Sequence, residues 1–259
     1  MRKLITLASF VALVMASCSN EEPNDSTNAK GRVFFDLALQ AEVEETRSEI
    51  EINCTTPAVE AFKLTIEGVD HTYKKEYANI AAFNADGENY LHIGTYKATV
   101  VAGDLSVEGY DKATFVGSKE FIVSARENTQ VDITAYIANT LVKVETTEAF
   151  DKYFVGGAQF ELTTKAGNKF DVTGKTEPLF IAPAEFVING TAVKQATQSG
   201  AEGATVTLPE YKMETPAAKT CYTVKFDLKE AGGANIEITL NDTVVAVEPI
   251  DQELNDNAK

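Results

Sequence analysis

The sequence predicts an all-β protein, with two antiparallel immunoglobulin-like β-sandwich domains behind an N-terminal leader and a flexible linker. Three observations predict it. Apolar and polar residues alternate at period two in run after run, the signature of strands with one buried face. The runs return about every 8–12 residues, and the links between them are Gly, Asn and Asp pairs of the kind that close tight turns. Sustained helical spacing is nearly absent: only "TEAFDKYF" (147–154) fits a short helix.

The chain begins with Arg2 and Lys3, followed by an apolar run from Leu4 to Ala16. This is the layout of a secretory signal, expected over residues 1–17, and it is shorter than the ~20 apolar residues a spanning helix needs. Met15-Ala16-Ser17-Cys18 resembles a bacterial lipobox, with Met15 where Leu or Val is usual. The resemblance implies cleavage before Cys18, lipidation of its thiol, and firm anchoring by several acyl chains. Ser19-Asn20-Glu21-Glu22 resembles the acidic signal that carries lipoproteins of Bacteroidetes-type bacteria to the outer face of the outer membrane, so the expected location is the cell outer membrane, facing outward. Residues 18–31 are rich in Ser, Asn, Asp and Glu and read as a flexible acidic tether, too polar to bury a core.

Strands follow in order. "RVFFDLALQAEVE" (32–44) alternates in part; "EAFKLTIEGV" (60–69) sets Phe62, Leu64 and Ile66 on one face, and "GTYKATVVAG" (94–103) does the same with Tyr96, Ala98 and Val100. The pattern continues through "SKEFIVSA", "TQVDITAYI", "NTLVKVETT", "AQFELTTKAG", "KFDVTG", "PLFIAP", "EFVING", "ATVTLPEY", "CYTVKFDL" and "NIEITLNDTVVAVE". Turns are expected at Asp86-Gly87, Gly103-Asp104, Gly156-Gly157, Gly167-Asn168, Asn189-Gly190 and Gly232-Gly233. A boundary near Asn139 divides the strands into an N-terminal sandwich, 32–138, and a C-terminal one, 139–259.

The net charge of −16 disfavours polyanionic partners, so no nucleic acid is expected. Of three cysteines, lipidation of Cys18 leaves Cys54 and Cys221 as a candidate disulfide in an oxidising compartment, with two buried thiols as the alternative. No catalytic residue, metal site or cofactor is expected. The two histidines, His71 and His92, read as solvent-facing or hydrogen-bonded residues in or beside strands. No Gly-x-Ser-x-Gly elbow occurs. Gly174-Lys175-Thr176 lacks the upstream glycine of a phosphate loop and reads as a turn, while "NADGEN" (84–89) has calcium-loop oxygens without EF-hand spacing.

The order of a lipobox with acidic residues after it, "RVFFDLAL", "TRS" (46–48), "GTYKATVVAGD" and "FVGSKEFIVSARENTQVDITAYIANTLVKV" resembles the fimbrillin-like and related surface lipoproteins of Bacteroidetes bacteria. The resemblance implies a cell-adhesion or pilus-associated protein without catalytic activity. It further implies that cleavage between Arg47 and Ser48 would remove the first strand and open a groove for the strand of another subunit; an ordinary loop arginine is the plainer reading of Arg47. Asp25-Ser26-Thr27 and Asp242-Thr243-Val244 resemble the O-glycosylation pattern of the same bacteria, with attachment at Ser26 and Thr243. The competing class is a carbohydrate-binding lipoprotein of a glycan uptake system. Such sites stack sugars on aromatic rings, and with no Trp in the chain the stacking would fall to Tyr73, Tyr77 and Tyr90. Expected partners are therefore the outer membrane, other pilus subunits, surface glycans or host proteins.

Overall fold

The computed structural model describes residues 29–45, 48–52, 54–85, 87, 89–194, 203–230, 233–240 and 243–250. In chain order the strands are β1 (Lys30–Gln40), β2 (Glu42–Glu45), β3 (Ser48–Glu51), β4 (Lys63–Gly68), β5 (Lys74–Tyr77), β6 (Tyr90–His92), β7 (Gly94–Ala102), β8 (Gly109–Tyr110), β9 (Phe115–Val123) and β10 (Asn128–Ile137). There follow β11 (Thr140–Thr146), β12 (Ala158–Thr164), β13 (Lys169–Asp171), β14 (Leu179–Ile181), β15 (Phe186–Val193), β16 (Thr205–Met213), β17 (Thr220–Phe226), β18 (Leu228–Glu230), β19 (Gly233–Leu240) and β20 (Thr243–Ile250). Among the described residues two short α-helices, α1 (Ile80–Asn84) and α2 (Glu148–Tyr153), and one 3-10 turn, Val59–Ala61, interrupt them.

The all-β expectation is met, and the strands form four sheets. The first runs β5-β4-β7-β9-β10-β1-β6, the second β3-β2-β17-β11-β14-β8, the third β13-β12-β15-β16 and the fourth β18-β19-β20. Pairing is mostly antiparallel, but not throughout. β1 runs parallel to β10 over nine positions, Arg32 opposite Asn128 through Gln40 opposite Tyr136. β11 runs parallel to β17 over seven, Thr140 opposite Thr220 through Thr146 opposite Phe226. Period-two alternation says which face is buried, not which way a neighbour runs.

Burial explains the stacking. The inward side chains of the first sheet, among them Val33, Phe35, Leu64, Ile66, Val100, Phe121 and Ile133, form one core with Ile80 and Phe83 of α1. The third sheet supplies Phe160, Leu162, Phe186, Ile188 and Leu208 to a second core, closed by Phe150 and Phe154 around α2. The second sheet serves both. On β14, Phe180 belongs to the first core while Leu179 and Ile181 belong to the second; on β11, Leu141 and Val142 divide in the same way. Successive side chains of a strand point to opposite faces, so this sheet is covered on both sides. That accounts for the unbroken burial of Leu179–Ile181, the run expected of a strand buried on both faces.

The two halves of the sequence share a sheet across the boundary near Asn139. β2, β3 and β8, from the first half of the sequence, lie in the second sheet beside β11, β14 and β17. Asn139 is fully buried; its Oδ1 accepts from Thr114 N at 2.6 Å, its Nδ2 donates to Ile181 O at 3.4 Å, and its carbonyl accepts from Lys219 N at 2.8 Å. Glu108 makes a second tie across the junction. Its carboxylate accepts from Ala182 N at 3.0 Å, Thr164 Oγ1 at 2.7 Å and Asn168 Nδ2 at 2.8 Å.

Two local expectations change. The tether ends earlier than residue 31, because β1 already includes Lys30 and Gly31. The polar stretch around Arg47 is flanked by a paired β2 and β3, with Glu45 opposite Ser48. Asn189-Gly190 is not a turn: it lies inside β15, where Pro209 and Glu210 of β16 stand against Asn189 alone in a bulge. A Cβ at residue 190 would come within 2.8 Å of the Phe160 ring and 3.0 Å of Leu208 Cδ1, so glycine there lets the second core close. Helix α2 forms as expected, with Thr147 capping Phe150 N. The unforeseen α1 is capped by Asn79, whose side chain accepts from Ala82 N at 2.8 Å.

Candidate functional site

Two features of the molecule invite a functional reading. The first is β1 in its slot. Val33 and Phe35 are buried, Leu37, Leu39 and Ala41 pack partly buried against the same core, and the Phe35 ring meets Phe83 at 5.0 Å and Phe121 edge-on at 5.5 Å. On one side β1 is paired along its length to β10, while on the other β6 covers only Lys30, Gly31 and Arg32. Beyond Arg32 that side of β1 has no registered strand partner among the described residues.

The second is a trough of about 490 Å³ on the outer face of the third sheet, lined by Gln159, Glu161, Asp171, Asn189, Thr191 and Thr207, with Phe160, Thr173 and Gly190 between them. Register builds it. Gln159, Thr191 and Thr207 form one row across β12, β15 and β16; Asp171, Glu161 and Asn189 form the next across β13, β12 and β15. At ~4.8 Å between strands, each row extends roughly 10 Å. Thr173 fixes one wall: Phe160 N donates to its Oγ1 at 2.8 Å, and its own N donates to Asp171 Oδ1 at 3.0 Å. Those hydrogen bonds from Thr173 hold the Asp171 carboxyl below its usual range. Glu161 is neutralised by Lys169 at 2.7 Å. The side chains of Gln159, Asn189, Thr191 and Thr207 have no hydrogen-bond partner among the described residues. A smaller hollow of about 320 Å³ beside it is lined by Lys143, Glu145, Thr146, Gly174, Lys175 and Thr176.

The residues singled out in the sequence do not gather at either place. Cys18, Ser26 and Arg47 lie outside the described residues. Ser48 opens β3 and Thr243 opens β20. Cys54 and Cys221 adjoin the same core, the first half-buried and the second fully, but they are not joined as a disulfide. Burial, with a smaller contribution from Asp111, pushes the Cys54 thiol up.

Of the aromatic and histidine candidates, Tyr73, Tyr77 and His71 pack against neighbouring rings. Tyr73 and Tyr77 approach through their hydroxyls at 3.3 Å and lie against Tyr96 and Phe83. Tyr90 is separate and 47% exposed, beside the Arg32 guanidinium. His71 Nδ1 lies 2.6 Å from Asp70 Oδ1, and its ring meets Tyr96 edge-on at 4.7 Å. It fills the space that a Cβ on Gly68 or Gly94 would need. His92 serves through its backbone, accepting from the Tyr96 hydroxyl at 3.0 Å. The Asn84 side chain is engaged with both backbone groups of Phe35, so it does not project as a calcium ligand. Among the described residues no three His, Cys, Asp or Glu converge as a metal site, and no helix is long and apolar enough to cross a membrane.

The trough was missed because its residues come from four separated strands. The available signal was chemical: the outward positions of β12 and β15 carry Gln159, Asn189 and Thr191, whereas those of β4 and β7 carry Lys63, Glu67 and Lys97.

Distant solved structures align with most of the chain at low identity. A candidate cell adhesion protein from Bacteroides eggerthii aligns over 86% of this chain and 95% of its own, at 9% identity and a TM-score of 0.43. A protein from Bacteroides thetaiotaomicron described as a candidate polysaccharide-binding protein aligns over 86% and 99%, at 10% identity and 0.39. A candidate cell adhesion protein from Bacteroides ovatus gives 87%, 99%, 10% and 0.39. These likenesses are too distant to transfer a ligand. No curated protein matches the chain. The family match, in contrast, takes in both cores from residue 29 to residue 256, and the chain belongs to the DUF4493 family, described as a domain of unknown function.

Proposed function

We propose that this chain is an exported lipoprotein, anchored through Cys18 in the cell outer membrane and exposed at the surface, where it acts without catalysis in adhesion or as a fimbrial component. The observation that carries the reading is the setting of β1. It lies early in the sequence, buries one apolar face against the first core, and is followed by Arg47 between the paired strands β2 and β3. Cleavage after Arg47 would release β1 and β2 together. The vacated slot would offer the unpaired backbone groups of β10 and an apolar channel over Phe83 and Phe121, which an incoming strand with the same alternation satisfies.

The test is to treat the whole chain with an arginine-specific protease and follow its size. The cut chain is expected to assemble, and a synthetic peptide spanning residues 30–41 is expected to block assembly. A cut chain that keeps its N-terminal fragment and stays monomeric, or an Arg47→Ala chain recovered from cells with the same mature terminus as the parent, overturns the strand-exchange reading. The competing glycan-capture reading loses Tyr73 and Tyr77 as stacking platforms, but the trough on the third sheet favours it independently.

A further inference from the structure

We propose that the trough on the outer face of the third sheet is a binding site for a neutral oligosaccharide, held edge-on by Gln159, Glu161, Asn189, Thr191 and Thr207. The inference rests on the glycan-capture reading and is independent of strand exchange.

Three observations point to this ligand chemistry. The first is the kind of group presented. Amides and hydroxyls both donate and accept, and carboxylates accept at two oxygens. A ring bearing adjacent hydroxyls is the ligand whose edge needs that mixture, since each hydroxyl is donor and acceptor at once. Gln159, Asn189, Thr191 and Thr207 spend none of this capacity on one another or on other described residues.

The second is their contrast with the rest of the surface. On the first sheet Glu67 is 2.8 Å from Lys74, and Lys97 stands opposite Glu67 in register, so that face consumes its own charges. In the trough the single pairing among the described residues is Glu161 with Lys169, and neither Lys nor Arg lines the hollow. Asp171, held ionised by Thr173, together with the chain's net charge of −16, disfavours sulfated or uronic ligands. What remains is an uncharged polyhydroxylated ligand.

The third is preorganisation. The polar rows stand on four adjacent strands, β13, β12, β15 and β16, with Asn189 in register opposite Glu161 and Thr173 pinning the wall. A backbone already held in register loses little freedom on binding. Two rows two residues apart are separated by about 6.6 Å along the strand, a spacing that lets one ring, or two linked rings, engage both.

The experiment is biolayer interferometry of the whole purified chain on immobilised α-mannan, laminarin and xylan, with heparin as the polyanionic control. Binding is expected on at least one neutral glycan and not on heparin. The Gln159→Ala/Asn189→Ala double variant is expected to weaken it by roughly tenfold or more. Because both side chains are exposed and unpartnered among the described residues, its thermal melt should match the parent. Thr207→Arg, which fills the trough and adds charge, should abolish binding. Arg47→Ala should leave it unchanged, so failure of strand exchange and failure of this site are separable. The inference is overturned if no neutral glycan binds, if binding survives both trough variants, if heparin binds better, or if the variants change only sedimentation of the chain, which would assign the face to a second copy.

Discussion

β1 and β11 occupy equivalent places and differ in what would follow from removing them. Each runs parallel to a later strand, β1 to β10 over nine positions and β11 to β17 over seven. Each has three antiparallel positions on its other side, to β6 and β14 respectively. Yet β1 buries one face, while β11 places Leu141 in the first core and Val142 and Val144 in the second. β11 also follows directly on Asn139, whose side chain and carbonyl tie three separate segments. The comparison teaches that two strands with nearly the same ladder can differ in how many cores their side chains enter, one for β1 and two for β11.

The largest effects should come from emptying these cores. Phe35→Ala in β1 is expected to cost about 3–5 kcal/mol and Leu141→Ala in β11 about 2–5 kcal/mol. Their hydrogen-exchange footprints should differ. Loss of Phe35 should loosen β9 and β10 and leave β12 and β15 protected; loss of Leu141 should loosen strands of both cores. Equal loosening of β12 by both variants would break the comparison.

Next comes the junction. Asn139→Ala leaves the Thr114 N–H buried and unpaired, which should cost about 1–3 kcal/mol by urea denaturation. A loss near zero would mean that the two cores do not depend on this tie. Smaller still are the helix caps, one for each core. Thr147→Ala on α2 and Asn79→Ala on α1 should each cost about 1 kcal/mol, and the Thr147 change should be the larger, because its hydroxyl also donates to Asp227.

The finest comparison is in alkali. Burial pushes the phenols of Tyr96, in the first core, and Tyr211, in the second, up to about 12. A phenol in the unfolded chain ionises near 10, so the folded state favours the protonated form. That contribution is complete below about pH 10 and is lost as pH rises through the folded value. Urea midpoints should fall over this window, and Tyr96→Phe or Tyr211→Phe should each flatten some of the fall. A window confined to one tyrosine would show that the cores differ in solvent access at high pH.

Much of the fold was legible because burial imposes its period on the sequence. Phe62, Leu64 and Ile66, or Tyr96, Ala98 and Val100, are where alternation places them, and all are buried. Partner choice was not legible, since nothing in "RVFFDLALQ" specifies β10 as a parallel neighbour. The β2–β3 pairing was hidden because Val43 and Ile50 are the only large apolar residues in a run of acids. Asn189-Gly190 carries the local preference of a hairpin turn, but long-range pairing of β15 with β12 and β16 overrides it. Of the candidate sites, the leader and anchor motifs are patterns of contiguous residues and lie outside the described ones. The trough could not be read, because it exists only after four strands have been brought side by side.

The parallel run of β1 against β10 has a mechanical consequence. A pull on the chain ahead of Lys30, opposed by the bulk of the protein through the far end of β10, acts along the ladder and strains its nine registered positions together. An antiparallel hairpin pulled from its open end would instead unzip rung by rung. β1 is thus set in the orientation that best resists being drawn out along its own axis.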